Sequence, residues 1–252
     1  MSIENGEWII RGLSWDNPYR IRSWRELVNW INEIGFLPLF TNEIDGFSVE
    51  EHVSPGFWWT GDTEQDPWEW REQIARSREV AYGKFFNKKA GFISLEWLPY
   101  FANCRRNGYD FDSLYEEGLA NVRSKRIMDV YADKEHEGRW KDDLIFSTEV
   151  KKLAGFGKEG AKNFPGVLTD LQMQLYLVMV DFRRRQNKRG ADYGMPVSIL
   201  LPPEAVWGYD AVTGAYTESP EDSANRIAAQ IRKLYPDADE KAVWRMVGKA
   251  TC

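Results

Sequence analysis

The spacing of apolar and polar positions predicts helices over most of the chain and an extended hairpin between about residues 175 and 201. Ser23-Trp24-Arg25-Glu26 has the form of a capping box, so a helix opens there and ends near Gly35. Asp66-Pro67-Trp68-Glu69 opens a second helix, with Pro at the first helical position, where its missing N–H does no harm. Ser94-Leu95-Glu96-Trp97 caps a third. A longer helix runs from Ser113 to about Tyr131, and a short apolar strand follows at Leu144-Ile145-Phe146. Ser147 reads as the N-cap of a helix ending at Gly155, and Pro165 opens another.

From Leu175 the period changes to two. Tyr176, Val178, Val180 and Phe182 share one face, and Asp181, Arg183 and Arg185 the other. The polar stretch Gln186–Gly194 turns the chain back into Pro196–Leu201. Helix, short strand, helix, turn, helix and hairpin is the order of a winged helix-turn-helix. Ser219-Pro220 and Asp237 start two closing helices. The expected fold is α+β: a Trp-rich, mainly helical N-terminal region (1–108) packed on a single winged helix-turn-helix (109–208), with C-terminal helices (209–252). One continuous domain is the alternative.

Composition narrows the function. Of 252 residues 14% are aromatic, including 12 Trp, which excludes a disordered chain. No apolar run reaches the ~18–20 residues of a membrane span. The polar, acidic start lacks the features of a signal peptide, so a cytoplasmic location is expected. Two cysteines, Cys104 and Cys252, build no disulfide framework, and His52 and His136 are too few for a three-histidine site; no metal and no cofactor is expected. The net charge is −6, but residues 147–200 hold nine basic and five acidic side chains, a local +4. A confined anion-binding face is the physical reading.

Arg183, Arg184, Arg185, Lys188 and Arg189 on the hairpin, with Lys158 and Lys162 in the turn before it, are the candidate contacts to the phosphates of double-stranded DNA. A solvated turn or a protein-binding wing is the competing reading. Gln172 and Gln174 share a face only on extended chain, so they converge only if the helix has ended by Gln172. Glutamine does not titrate, but it orients a water or reads a base edge; two polar residues packing a helix end is the plainer account. Trp58, Trp59 and Trp70 are candidate base-stacking rings, against an ordinary role in the core. Of Trp68 and Trp70, two apart, at most one faces the core of a helix-packed region. Glu69 reads as a capping residue, Asp170 and Asp181 as charge balance for the arginines, and His52 and His136 as surface residues.

Leu171-Gln172-Met173-Gln174, with Gly166-Val167-Leu168 before it and the arginines after it, resembles the Gln-x-Gln motif of AlkZ/YcaQ-type bacterial DNA glycosylases. The similarity to the small AlkZ-related proteins is closer. It runs through Gly56–Gly61, Asp66–Arg71, Tyr82–Phe86, Lys89–Ser94, Lys152–Lys158 and Asp181–Arg184. The resemblance implies winged-helix modules and excision of alkylated or crosslinked bases, with Gln172 and Gln174 positioning the water or stabilising the transition state. The glycosylases are longer and hold DNA between several winged helices, whereas this chain has room for one. A non-catalytic DNA-binding regulator or adaptor is therefore the second reading. A small-molecule enzyme using a Trp-rich cleft is the third, and an apolar pocket remote from Arg183–Arg185 is its signature.

Overall fold

A computed structural model describes residues 2–4, 7–133, 135 and 140–248. His136 and Cys252 lie outside the described residues. The architecture is mixed α and β, built on one five-stranded antiparallel sheet.

The chain opens with a small hairpin, β1 (Ser2–Glu4) and β2 (Glu7–Ile9). Helix α1 (Trp24–Ile34) begins where Ser23 accepts the Glu26 amide at 3.2 Å. It ends at Gly35, whose φ of 100° and close contact with the Trp97 indole leave no room for a Cβ. Strand β3 (Phe36–Pro38) follows at once. Helix α2 (Pro67–Ser77) is capped by Asp66, which accepts the Trp68 amide at 2.8 Å. Strands β4 (Val80–Phe86) and β5 (Lys89–Ser94) then form a hairpin around Asn87-Lys88, both at positive φ. That is the two-residue turn whose twist suits a hairpin, made here without glycine.

The N-terminal region is thus less helical than its pattern predicts. Five of its segments are strands, three of them in the main sheet, and Ser94 ends β5 rather than capping a helix. Helix α3 (Leu98–Arg106) instead starts after Trp97. The predicted helix over 113–131 is two, α4 (Phe111–Glu116) and α5 (Val122–Tyr131), broken at Gly118, whose φ is 72°. The predicted strand at 144–146 shrinks to one bridge, Phe146 to Ile199. Helix α6 (Ser147–Leu153) begins one residue before its predicted start, with Phe146 in the cap position, and α7 (Phe164–Met173) follows the glycine-rich turn. Strands β6 (Val178–Gln186) and β7 (Asp192–Leu201) make the long hairpin.

The sheet order is β3-β5-β4-β6-β7, so strands from either side of residue 108 share one sheet. The joint between β4 and β6 is narrow: one pair, Tyr82 with Met179. Helices α8 (Pro203–Trp207), α9 (Tyr209–Thr213), α10 (Pro220–Leu234) and α11 (Glu240–Val247) complete the chain, and α10 packs on α3. Ser219 caps α10 as its sequence predicts, while Asp239 rather than Asp237 caps α11. Two buried arginines tie these parts together. Arg105 donates to the carbonyls of Phe85 at 2.7 Å, Val247 at 2.9 Å, Met246 at 3.0 Å and Met173 at 3.2 Å. Arg106 pairs with Glu204 and also donates to the Leu175 carbonyl. Among the described residues no helix is long and apolar enough to cross a membrane.

Candidate functional site

A cleft of about 1190 Å³ opens between α2, α7 and the β6–β7 hairpin. Its cationic lining is Arg71, Arg76, Lys84, Arg183 and Arg184, against the carboxylates Glu69, Glu72 and Asp192.

Helix α7 supplies one wall. Phe164, Val167, Leu168, Thr169, Leu171 and Gln172 are buried, and only Pro165 and Asp170 are exposed. Gln172 is 1% exposed and both ends of its amide are engaged. Its Oε1 accepts the Lys84 N–H at 3.1 Å, and its Nε2 donates to the Leu168 carbonyl at 3.0 Å. Because β6 meets β4 at Tyr82 alone, the Lys84 amide lies beyond that pairing, and Gln172 substitutes for the missing strand.

Helix α7 ends only after the first glutamine. Leu175 N–H donates to the Gln172 carbonyl and Tyr176 N–H to the Leu171 carbonyl, both at 2.9 Å, the paired bonds of a Schellman end. The residue in the left-handed position is Leu175, with φ 61°, where glycine is usual. Complete burial of its side chain and the bond from Arg106 to its carbonyl hold it there. Gln172 and Gln174 are consequently both on helical backbone and point apart. Gln172 lines the cleft; Gln174, half-buried at the C-cap, is not among the lining residues.

The opposite wall is α2. Arg71 is 7% exposed, with its guanidinium 3.8 Å from the Trp68 ring and 4.5 Å from the Phe182 ring. Glu72 sits between Arg71, 3.2 Å away, and Arg76, 3.3 Å away. Burial pushes the Glu72 carboxyl above its ordinary value, Arg71 opposes the rise and Glu69 adds to it. Asp66 rather than Glu69 makes the α2 cap, which leaves Glu69 on the cleft.

Asp181 lies beneath the hairpin base. It accepts from Arg76 Nε and Arg183 Nε at 2.6 Å each and from the Phe182 amide at 2.7 Å. Burial alone would raise its carboxyl; these three hydrogen bonds outweigh it and hold the group below the ordinary range. Asp181 is thus a charge-balancing residue, as its sequence position suggests. A bulge makes this possible. Met179 pairs with Leu200 and Asp181 with Ile199, so Val180 is an extra residue in β6. The simple alternation predicted for this strand breaks there, and Met179 and Phe182, three apart, both reach the cleft.

Past that point the hairpin projects as an exposed arm from Arg183 to Met195. Arg184 donates to the Gly194 carbonyl at 2.7 Å. Arg185, Lys188 and Arg189 make no salt bridge among the described residues and are exposed. Of the two lysines before α7, Lys158 is exposed, whereas Lys162 bonds the Gly157 and Lys158 carbonyls and closes its own turn.

The tryptophans divide differently from the sequence assignment. Trp70 is 1% exposed, with its indole N–H on the Glu64 carbonyl, and Trp58 is also buried, so both are core rings and no free stacking surface. Trp59 is 47% exposed and packs near Trp58 and Trp68. The ring on the cleft is Trp68. A spacing of two residues foretold that one of Trp68 and Trp70 turns away from the core, but not which. The sequence reading passes over Glu72 and Arg76, whose i, i+4 spacing on α2 is the one local signal that could have found this ion pair. His52 is half-buried rather than fully exposed, its ring 4.5 Å from that of Trp30 and its Nδ1 2.9 Å from the Ser48 carbonyl.

No curated protein and no solved structure matches the chain. A protein-family model described as AlkZ related does, over residues 21–248. That span holds the cleft, the Gln172 helix and the basic arm, and the chain belongs to the AlkZ-related family.

Proposed function

We propose that this protein acts on double-stranded DNA and recognises an altered base, in the manner of a repair protein related to the glycosylases. Membership of the AlkZ-related family supports the substrate class. The observation that carries the reading is the exposed arm, with Arg185, Lys188 and Arg189 beside a large cleft that presents Gln172 and Trp68. Phosphates on the arm would position a duplex, and the cleft would read what departs from it.

In this reading α5, α6 and α7 with the β6–β7 hairpin form one winged helix-turn-helix, the Phe146–Ile199 bridge standing for its first strand. The arm, rather than α7, meets the duplex, because α7 exposes only Pro165 and Asp170. Residues 1–108 and 209–252 complete the body around that module.

Hydrolysis of the glycosidic bond is the chemistry the family suggests. Gln172 keeps one amide N–H and one oxygen lone pair beyond its two internal bonds, enough to orient a water. Glu72, whose carboxyl burial raises, is the candidate for proton transfer among the cleft carboxylates. A second reading, recognition without turnover, is favoured by a specific fact: Gln174 does not line the cleft, so the two motif glutamines do not converge. The apolar pocket of the N-terminal half is free of Arg183–Arg185 but shares Met179 and Phe182 with the cleft, so it does not by itself favour the small-molecule reading over the DNA reading.

The test is binding of a labelled duplex, plain and alkylated, across a salt series, followed by assay for released base. Preference for the alkylated duplex with a steep salt dependence is expected. Absence of binding at low salt overturns the proposal; binding without release selects the second reading.

A further inference from the structure

Beside the cleft lies a second chamber of about 470 Å³, sharing Trp68, Arg71, Lys84, Met179 and Phe182 with it. It sits at the one-pair joint between β4 and β6, whose two residues, Tyr82 and Met179, are both in its wall. Three features define its chemistry. Its walls are largely aromatic, with Phe40, Trp68, Tyr82 and Phe182. Arg71, Lys84, Lys88 and Lys89 line it and no carboxylate does. Arg71 is more than nine-tenths buried, yet its Nε–H has no hydrogen-bond partner. Glu72, the Tyr82 hydroxyl and two aromatic faces account for the rest of that guanidinium. A buried donor without an acceptor is unfavourable, and a ligand acceptor removes the penalty.

A flat ring, an anionic group and a hydrogen-bond acceptor within the size of a small-ligand pocket are the parts of a nucleotide. We propose that this chamber binds a single nucleotide unit. The base packs on Trp68 and presents an acceptor to Arg71, and the phosphate lies toward Lys84, Lys88 and Lys89. Lys88 is also 3.4 Å from the exposed Asp170, which draws that lysine toward the rim. The inference rests on the DNA reading only for the origin of the nucleotide: extruded from a duplex, or free.

Photo-crosslinking with an iodouracil base separates the two origins. One probe is iodouridine monophosphate. The other is a short duplex carrying a single iodouracil opposite an abasic position, where extrusion is easiest. Crosslinked peptides are mapped by mass spectrometry on the full chain. Adducts on peptides bearing Trp68, Tyr82 or Phe182 from both probes support the chamber and the extruded base. Adducts from the mononucleotide alone support the chamber and point to a free nucleotide, with the duplex-binding measurement deciding the DNA reading separately. Duplex binding with adducts confined to the arm, or no adduct from either probe, overturns the chamber. Trp68→Leu should weaken mononucleotide binding about tenfold, the scale of one lost base–aromatic stack. Unchanged affinity in a folded Trp68→Leu protein also overturns it. Lys89→Glu, at an exposed position, gives a second variant that repels the phosphate without touching the packing.

Discussion

Gln172→Ala will damage the fold before it reports on chemistry, and the size of the damage follows from its two bonds. Truncation leaves the Lys84 N–H of β4 without its acceptor and the Leu168 carbonyl without its extra donor. One orphaned buried donor costs about 1–3 kcal/mol. The lost side-chain methylene adds about 0.8 kcal/mol. A destabilisation of about 3 kcal/mol corresponds, in a protein of this size, to a Tm lower by about 6–12 °C. Gln174→Ala, at a half-buried C-cap that does not line the cleft, should stay within about 0.5 kcal/mol of the parent. The assay is urea unfolding of both variants, read as a shift in midpoint at constant slope. Equal stability of the two variants would refute the claim that Gln172 replaces a strand at the edge of β4. If the difference is found, base release by Gln172→Ala must be expressed per folded molecule.

Asp181 makes stability depend on pH. Its folded carboxyl titrates below the unfolded one, so its contribution is complete above the ordinary value of about 4 and is lost as pH falls through the lower, folded value. Unfolding midpoints of the parent and Asp181→Asn should differ at neutral pH and converge in acid; a constant gap would contradict the Arg76–Asp181–Arg183 network. Replacing Arg185, Lys188 and Arg189 by Ala should flatten the dependence of log affinity on log salt by about 2.7 if each meets one phosphate, as measured by anisotropy on plain duplex. An unchanged slope would place the contacts elsewhere. Arg105→Met should destabilise by about 3 kcal/mol or more, because four backbone carbonyls lose a buried cationic donor. Burial lowers that guanidinium to about 10, which leaves it charged at neutral pH. A mild effect in thermal melts would show that those carbonyls find other donors.

What the sequence determined by itself is what neighbours within a few residues decide. Ser23 and Gly35 bound α1, Asp66 and Pro67 start α2, and Ser219 caps α10, because a cap is an oxygen or a free φ set against the next turn. The order α6, turn, α7, hairpin was legible for the same reason, as was the charge of the arm. Tertiary structure decided the rest. Phe36–Pro38, Val80–Phe86 and Lys89–Ser94 are strands because they find partners in one sheet, and the buried, non-alternating positions of β4 resemble a helix segment when read alone. The turn between β4 and β5 uses Asn87-Lys88 without the glycine that would have signalled it. The bulge at Val180 leaves no local mark, yet it turns Asp181 under the hairpin and Phe182 into the cleft. The fate of Gln172 and Gln174 depended on where α7 stops. It stops at Leu175, a residue that enters left-handed backbone only because burial of its side chain and a guanidinium from α3 hold it there.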